Sequence, residues 1–199
     1  MRVKRLIATR LLLTAAILVV VHLFSPRYML VVMMLLSVDY WTIVANLINR
    51  PLERAITRWY YNDAQRILRS MPHLTIIGVT GSFGKTSTKH FLYRILSERY
   101  NVLMTPGNFN TTLGVVRTVR EQLKPHHEVF IVEMGAKQRG DIKEICDLVS
   151  PEIGIVTSVG EMHLETFGSV ESVARTKFEL IDALPEGGFG IVNIDSEAA

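Results

Sequence analysis

The chain has 199 residues, of which 48% are hydrophobic, and its formal net charge is +3. This length is enough for one complete hydrophobic core. Much of the positive charge lies beside apolar N-terminal segments, at Arg2, Lys4, Arg5, Arg10, Arg27, Arg50, Arg54 and Arg58. We therefore interpret the basic character as membrane flanking, which argues against a nucleic-acid partner.

The first fifty residues contain two apolar segments. Residues 11–24 carry no formal charge, and residues 28–48 are long enough to cross a bilayer core, although Asp39 interrupts them. A short Ser-Pro-Arg turn at residues 25–27 separates the two. Because basic residues precede the first segment and follow the second, we predict a transmembrane helical hairpin over residues 1–50 with both ends in the cytoplasm. This predicts a protein of the cytoplasmic membrane.

Other interpretations of these segments stay open. A cleaved signal peptide is the main alternative for the first segment, but no small-residue cleavage site precedes Ser25 and a second apolar segment follows. Asp39 is costly in lipid, so it either faces a protein partner or marks a segment that does not fully cross. Residues 40–52 could instead form an interfacial helix, with Tyr40 and Trp41 at the level of the lipid headgroups.

The remaining residues have a different pattern. Residues 51–73 show helical periodicity and are predicted to form an amphipathic connecting helix. Residues 74–199 alternate short apolar runs with helical runs. Strands are predicted near residues 74–79, 101–105, 128–134, 153–159 and 190–194, and helices near 85–99, 111–123, 139–149 and 170–184. This alternation predicts an α/β fold with a mostly parallel sheet and helices on both faces. The single cysteine, Cys146, indicates a reduced cytosolic domain.

The most specific motif is T-G-S-F-G-K-T-S-T at residues 80–88, directly after an apolar run. Gly81 and Gly84 allow backbone N–H groups to converge on phosphate oxygens at a helix N-terminus. Lys85 would contact the β and γ phosphates of a nucleoside triphosphate, and the Thr86 hydroxyl would bind Mg²⁺. A glycine-rich turn that merely caps a helix would need neither the lysine nor the second glycine. The residues predicted to bind nucleotide are Thr80, Gly81, Ser82, Gly84, Lys85, Thr86 and Ser87.

Further polar residues follow the predicted strands, where ligands of parallel sheets bind. Glu133 ends the apolar strand, and a carboxylate there suits a hard cation, although it could also be a solvated side chain. His163 follows the next strand and could be an ordinary polar loop residue. Lys177 lies in a predicted helix and could be an ordinary surface lysine.

Four segments together resemble the central ATP-binding domain of the Mur ligases, in particular the type that adds D-alanyl-D-alanine to a muramoyl tripeptide. They are T-G-S-F-G-K-T at 80–86, G-N-F-N-T-T-L-G at 107–114, E-M-G-A-K-Q-R-G-D-I at 133–142, and S-V-G-E-M-H-L-E-T-F-G-S at 158–169 followed by A-R-T-K-F-E-L at 174–180. The resemblance covers residues 74–195 and departs at the N-terminus, where the family usually has a soluble domain that holds the UDP-sugar.

The resemblance implies ATP-dependent amide formation through an acyl phosphate. It implies catalytic roles for Lys85, Glu133, His163 and Lys177. It also implies Mg²⁺ binding by Thr86, Glu133, His163 and Lys177, the last as a carbamate formed with CO₂. The segment with Asn108, Asn110, Thr111 and Thr112 would face the substrate, although small polar residues there could equally cap a helix.

These expectations favour a membrane-tethered ligase of peptidoglycan precursor synthesis, which joins an amino acid or dipeptide to a small-molecule or lipid-linked muramoyl peptide. One alternative is a poly-γ-glutamate synthase, and another is a non-catalytic ATP-binding module at the membrane. The family's adenine-contacting helix and C-terminal domain are expected after Ala199. We therefore expect the 199-residue chain alone to bind Mg·ATP weakly and not to turn over.

Overall fold

The computed structural model describes residues 14–17, 19, 29–160 and 164–195. The chain divides into two compact units, Met1–Thr57 and Arg58–Ala199. Residues 14–17 and 19 are helical. Helix α1, Met29–Arg69, belongs to both units and continues through Pro51. A single proline removes one backbone hydrogen bond, and strong helix formers such as leucine and arginine surround this one.

The predicted transmembrane hairpin finds no support in the described part of the chain. Its first segment, residues 11–24, lies almost entirely outside the described residues. Helix α1 contains residues 29–48 of the second segment but runs on into an arginine-rich stretch that ends at Arg69. Among the described residues, no helix has both the length and the apolar character that a bilayer crossing requires.

The second unit contains a five-stranded sheet, and the predicted parallel α/β fold is confirmed. The strands are β1 (Thr75–Thr80), β2 (Val102–Met104), β3 (Val129–Glu133), β4 (Ile153–Val156) and β5 (Phe189–Val192). Their order is β2-β3-β1-β4-β5, and every neighbouring pair is parallel. The helices after α1 are α2 (Lys85–Leu96), α3 (Thr112–Gln122), α4 (Asp141–Val149), α5 (Leu164–Phe167) and α6 (Val170–Asp182).

Helices cover the sheet on both faces. Because strand side chains alternate, Ile77 and Val79 of β1 face α2, where they pack with Leu92 and Leu96. Side chains on the opposite face join a larger core with α3, α4 and α6, whose members include Ile76, Phe130, Val132, Val115, Val119, Ile142, Ile145 and Leu180. Helix α6 lies close to Gly78, since a Cβ there would come within 2.7 Å of a Leu180 methyl carbon. This packing leaves the carboxyl ends of the strands at one open edge.

Cys146 lies in the core on α4, where burial raises the pKa of its thiol to about 12. Its Sγ is 3.8 Å from the Met134 Sδ. A buried thiol with so high a pKa forms almost no thiolate at neutral pH. Cys146 is free and serves packing.

Candidate nucleotide site

The phosphate-loop residues 81–84 connect the central strand β1 to α2. Gly81 and Gly84 have φ values of 151° and 81°, in the region that side chains disfavour. Gly84 is the N-cap of α2 and provides no side-chain cap. The N–H groups of the first helical turn, which includes the exposed residue Ser87, therefore remain available for an anion.

The segment after β4 fixes the shape of this loop. The Ser82 N–H donates to the Ser158 carbonyl oxygen at 2.8 Å, and the Phe83 N–H donates to the Ser158 Oγ at 2.9 Å. The Thr157 hydroxyl donates to the Phe83 carbonyl oxygen at 2.6 Å. These bonds explain why β4 ends at Val156 and not at the predicted residue 159, since the backbone turns here to contact the loop.

Two of the residues predicted to bind nucleotide use their side chains within the protein. The buried Thr80 hydroxyl donates to the Met134 carbonyl oxygen at 3.0 Å. The Ser82 Oγ accepts from the Gly160 N–H at 3.0 Å. Both residues therefore present their backbone to the loop and use their side chains to anchor it.

Lys85 begins α2 and folds back over the loop. Its Nζ donates to the carbonyl oxygens of Gly81 and Ser82, at 2.7 Å and 3.2 Å. Burial lowers the pKa of Lys85, and the nearby negative charge of Glu133 opposes that shift. The ammonium group is therefore held beside the uncapped helix end, where a triphosphate would place its negative charge.

Glu133 is buried at the end of β3 and connects several segments. The Thr86 hydroxyl donates to its carboxylate at 3.1 Å, and the Lys89 Nζ lies 2.8 Å from its Oε2. The Asn110 side-chain amide donates to Oε1 at 3.4 Å. The Glu133 N–H donates to the Thr105 hydroxyl at 3.1 Å, which fixes the backbone beneath the carboxylate.

The segment before α3 caps that helix and also contacts the end of β3, while its predicted role in facing the substrate stays a prediction. Thr111 is the N-cap of α3, and its hydroxyl accepts from the Gly114 N–H at 3.3 Å, while Thr112 begins the helix. Asn110 instead lies against the site, because its carbonyl oxygen accepts from the Gly135 N–H at 2.7 Å. Asn108 is exposed to solvent beside it.

Lys177 lies on α6 with only 3% of its surface exposed. Burial, with a smaller contribution from the positive charge of Lys85, lowers the pKa of Lys177 to about 8. His163, the other residue predicted to bind metal, lies outside the described residues.

The residues present fit Mg²⁺ held together with a triphosphate. Within the described part of the chain, no three His, Cys, Asp or Glu side chains are grouped so that they could bind a metal ion. The Thr86 hydroxyl and the Glu133 carboxylate nevertheless form a pair of oxygen donors. Mg²⁺ commonly uses one or two protein oxygens and takes its other ligands from phosphates and water. The uncapped helix end beside this pair would hold those phosphates.

Residues 79–199 match the Mur ligase middle domain family. The chain belongs to the Mur ligase family. A ligase from Escherichia coli named UDP-N-acetylmuramoyl-tripeptide–D-alanyl-D-alanine ligase is 35% identical over 159 residues, which are 76% of this chain and 35% of that protein. A ligase of the same name from Synechocystis is 42% identical over 123 residues, which are 62% of this chain and 27% of that protein.

Solved structures agree with this membership. MurF from Thermotoga maritima, determined in complex with ADP, has a TM-score of 0.66 and 35% identity, over 69% of this chain and 32% of that chain. MurF from Acinetobacter baumannii has a TM-score of 0.66 and 31% identity, over 69% of this chain and 30% of that chain. The chain spans about a third or less of the length of these relatives.

Sequence reasoning gave no individual role to four residues of this Mur ligase domain that shape the site: Lys89, Thr105, Thr157 and Ser158. Lys89 lies one helical turn after Lys85 and Thr86, so helical spacing could have placed it on the same face. Ser158 lies in a segment that carried the family resemblance. Nothing in the sequence distinguishes Thr105 and Thr157 from other threonines at strand ends.

Proposed function

We propose that the chain carries the ATP site of an ATP-dependent, ADP-forming ligase that makes an amide bond in peptidoglycan precursor synthesis. The reaction would join D-alanyl-D-alanine to a muramoyl tripeptide, as the names of the relatives describe for those proteins. The observation that carries the proposal is the grouping of Lys85, Thr86 and Glu133 around the uncapped start of α2. The similar Thermotoga maritima protein was determined in complex with ADP, which supports nucleotide binding as a function of this domain.

Each residue has a defined task in this proposal. The N–H groups of the first turn of α2 and the Lys85 ammonium bind the β and γ phosphates. Thr86 and Glu133 would hold Mg²⁺, which would supply positive charge to neutralise the transferred phosphoryl group. Asn108 and Asn110 lie where they can orient the acceptor carboxylate toward the γ phosphate.

The bonds change in two steps. The acceptor carboxylate oxygen forms a bond to the γ phosphorus, and the bond from that phosphorus to the bridging oxygen breaks to release ADP. The amine nitrogen then attacks the acyl phosphate carbon, phosphate leaves, and the amine loses one proton. The Glu133 carboxylate is buried and held by hydrogen bonds, so it is already oriented toward the start of α2 before substrates bind.

ADP release by the complete protein tests the proposal. We expect release to require both a muramoyl tripeptide and D-alanyl-D-alanine. Stimulation by glutamate without a muramoyl acceptor would support the alternative poly-γ-glutamate synthase. Tight Mg·ATP binding without ADP release in the presence of either set of substrates would support the non-catalytic module.

We also propose that Lys177 is carbamoylated. Its pKa of about 8 leaves about half of the amine neutral at pH 8, and only the neutral amine can attack CO₂ to form the carbamate and release a proton. With ¹³C-bicarbonate, NMR should detect a carbamate signal that disappears in Lys177→Met. Lys143→Met is the matched control, because hydrogen bonding to Asp147 raises the pKa of the exposed Lys143. A signal that persists in Lys177→Met would contradict this assignment.

Attachment to the cytoplasmic membrane, with the ATP-binding domain on the cytoplasmic side, stays a proposal that rests on the sequence. It is supported by the charge-free residues 11–24 and the basic residues around the apolar segments. Deletion of residues 1–50 should move the protein from the membrane fraction to the supernatant. A high-salt wash of the parent separates insertion from electrostatic adsorption, because salt screens only the latter. Retention of the deletion variant in washed membranes would contradict the proposal.

A further inference from the structure

Lys89 is the largest side chain that is completely buried in the described part of the chain, and the proposed chemistry assigns it no task. It lies on α2, three residues after Thr86. Its Nζ lies 2.8 Å from the Glu133 Oε2 and donates to the Gly107 carbonyl oxygen at 2.7 Å. A buried ammonium group is costly unless such partners compensate for its lost hydration. The two contacts are therefore the reason that a lysine can occupy this position.

The two partners of Lys89 belong to different parts of the site. Glu133 ends β3 and also contacts the Thr86 hydroxyl, so it belongs to the nucleotide side. Gly107 begins the acceptor loop, which we define as residues 107–112 and which contains Asn108 and Asn110. Gly107 has a φ of 50°, and a Cβ there would meet nothing within 4 Å. No other atom of the described residues therefore packs against this face of Gly107, and the hydrogen bond from Lys89 to its carbonyl oxygen attaches the loop to the protein interior.

Lys85 and Lys89 have different partners: Lys85 contacts the phosphate loop, whereas Lys89 contacts the acceptor loop and the end of β3. Lys85 donates to carbonyl oxygens of its own phosphate loop, at Gly81 and Ser82. Lys89 reaches across 18 residues of sequence to Gly107 and across to the end of β3. Another attachment of the acceptor loop is the backbone bond from the Gly135 N–H to the Asn110 carbonyl oxygen, at 2.7 Å. Residue 135 directly follows the strand that carries Glu133, so both attachments depend on the same strand end.

We propose that Lys89 is a positioning residue that couples the nucleotide site to the acceptor loop. Its ammonium group fixes the Glu133 carboxylate and, with the same atom, holds the Gly107 carbonyl. The loop that carries Asn108 and Asn110 is thereby placed beside the γ phosphate. This inference rests on the proposed function, because it assigns the loop to the acceptor. It predicts that loss of Lys89 weakens acceptor use much more than nucleotide binding.

Hydrogen exchange on the full chain tests this coupling without requiring turnover. In Lys89→Met, the backbone amides of Phe109 and Asn110, which donate to the carbonyl oxygens of Pro106 and Asn108, should exchange about tenfold faster. The amides of the phosphate loop should keep their exchange rates. Mg·ATP affinity, measured by calorimetry, should change by less than about threefold. In the complete enzyme, KM for the muramoyl acceptor should rise about tenfold.

Lys143→Met is the matched control, since it removes an exposed lysine whose side chain bonds to Asp147 on its own helix. Lys143→Met should leave unchanged the amide exchange rates of the acceptor loop and the phosphate loop, the affinity for Mg·ATP and the KM for the muramoyl acceptor. Equal exchange of the acceptor loop in Lys89→Met and Lys143→Met would overturn the inference. A loss of Mg·ATP affinity as large as the loss of acceptor affinity would also overturn it.

Lys89→Met leaves the buried Glu133 charge without its cation, which can prevent folding. The double variant Lys89→Met/Glu133→Gln removes both charges and keeps an oxygen that accepts from Asn110. We expect its acceptor loop to exchange about tenfold faster than that of the parent, and an unchanged rate would overturn the inference. Failure of the proposed function has a different result: the parent would then release no ADP with muramoyl tripeptide and D-alanyl-D-alanine, whatever the loop exchange shows.

Discussion

Replacement of Lys85 by methionine is expected to lower the affinity for Mg·ATP by about a hundredfold or more. The Lys85 Nζ is held 2.7 Å from the Gly81 carbonyl oxygen, directly beside the N–H groups that begin α2. A triphosphate bound there would gain a charge-assisted hydrogen bond that methionine cannot provide. Isothermal titration calorimetry measures the difference directly.

The control for this experiment is Lys143→Met, which removes a lysine of the same charge on α4, 64% of whose side chain is exposed. Its ion pair with Asp147 lies at the surface, where such pairs contribute little to stability. Circular dichroism should show that both variants are folded, because Lys85 is only half-buried. Nucleotide affinity in Lys85→Met equal to that of the control would remove the basis for the proposed ATP site.

Replacement of Gly81 by alanine is expected to reduce the free energy of unfolding by roughly 3 kcal/mol and to abolish nucleotide binding. The φ of 151° disfavours any side chain, and the new Cβ would collide with the Thr157 hydroxyl and approach the Ser158 N at 3.0 Å. The Thr157 hydroxyl would have to rotate away and would lose its bond to the Phe83 carbonyl oxygen. The phosphate loop would then lose the backbone conformation that directs its N–H groups toward the phosphates.

Gly187→Ala is the control that separates the cost of backbone strain from the cost of the steric collision at Gly81. Gly187 also has a positive φ, of 87°, but a Cβ there would meet nothing within 4 Å. It should cost only the strain of a left-handed residue, about 1 kcal/mol. Urea unfolding followed by circular dichroism compares the two variants. Equal losses of stability would mean that the contact between the phosphate loop and the segment after β4 is unimportant.

The fold was predictable because its signals are local. The apolar runs that became β1 and β3 are short, bounded by turns and separated by amphipathic helices, so a parallel sheet followed. The placement of Glu133 near Thr86 also followed, since carboxyl ends of parallel strands share one edge. Helix α5 was not predicted, because four residues are too few to show helical periodicity.

The unpredicted parts of the site depend on contacts between distant residues. Lys89 looks like any lysine of an amphipathic helix, and its burial results from Gly107 and Glu133, which lie far along the chain. The end of β4 was predicted at residue 159, but hydrogen bonds from Thr157 and Ser158 to the phosphate loop end it at Val156. Such pairings are set by tertiary structure and leave no periodic trace in the sequence.

The central position of β1 in the sheet affects the order in which parts of the domain unfold. With β3 on one side and β4 on the other, β1 has no free edge, whereas β2 and β5 form the two rims of the sheet. Fraying that starts at either rim must separate two strands before it reaches the glycine turn. Nucleotide binding should therefore outlast the early stages of denaturation and disappear only when the middle of the sheet melts.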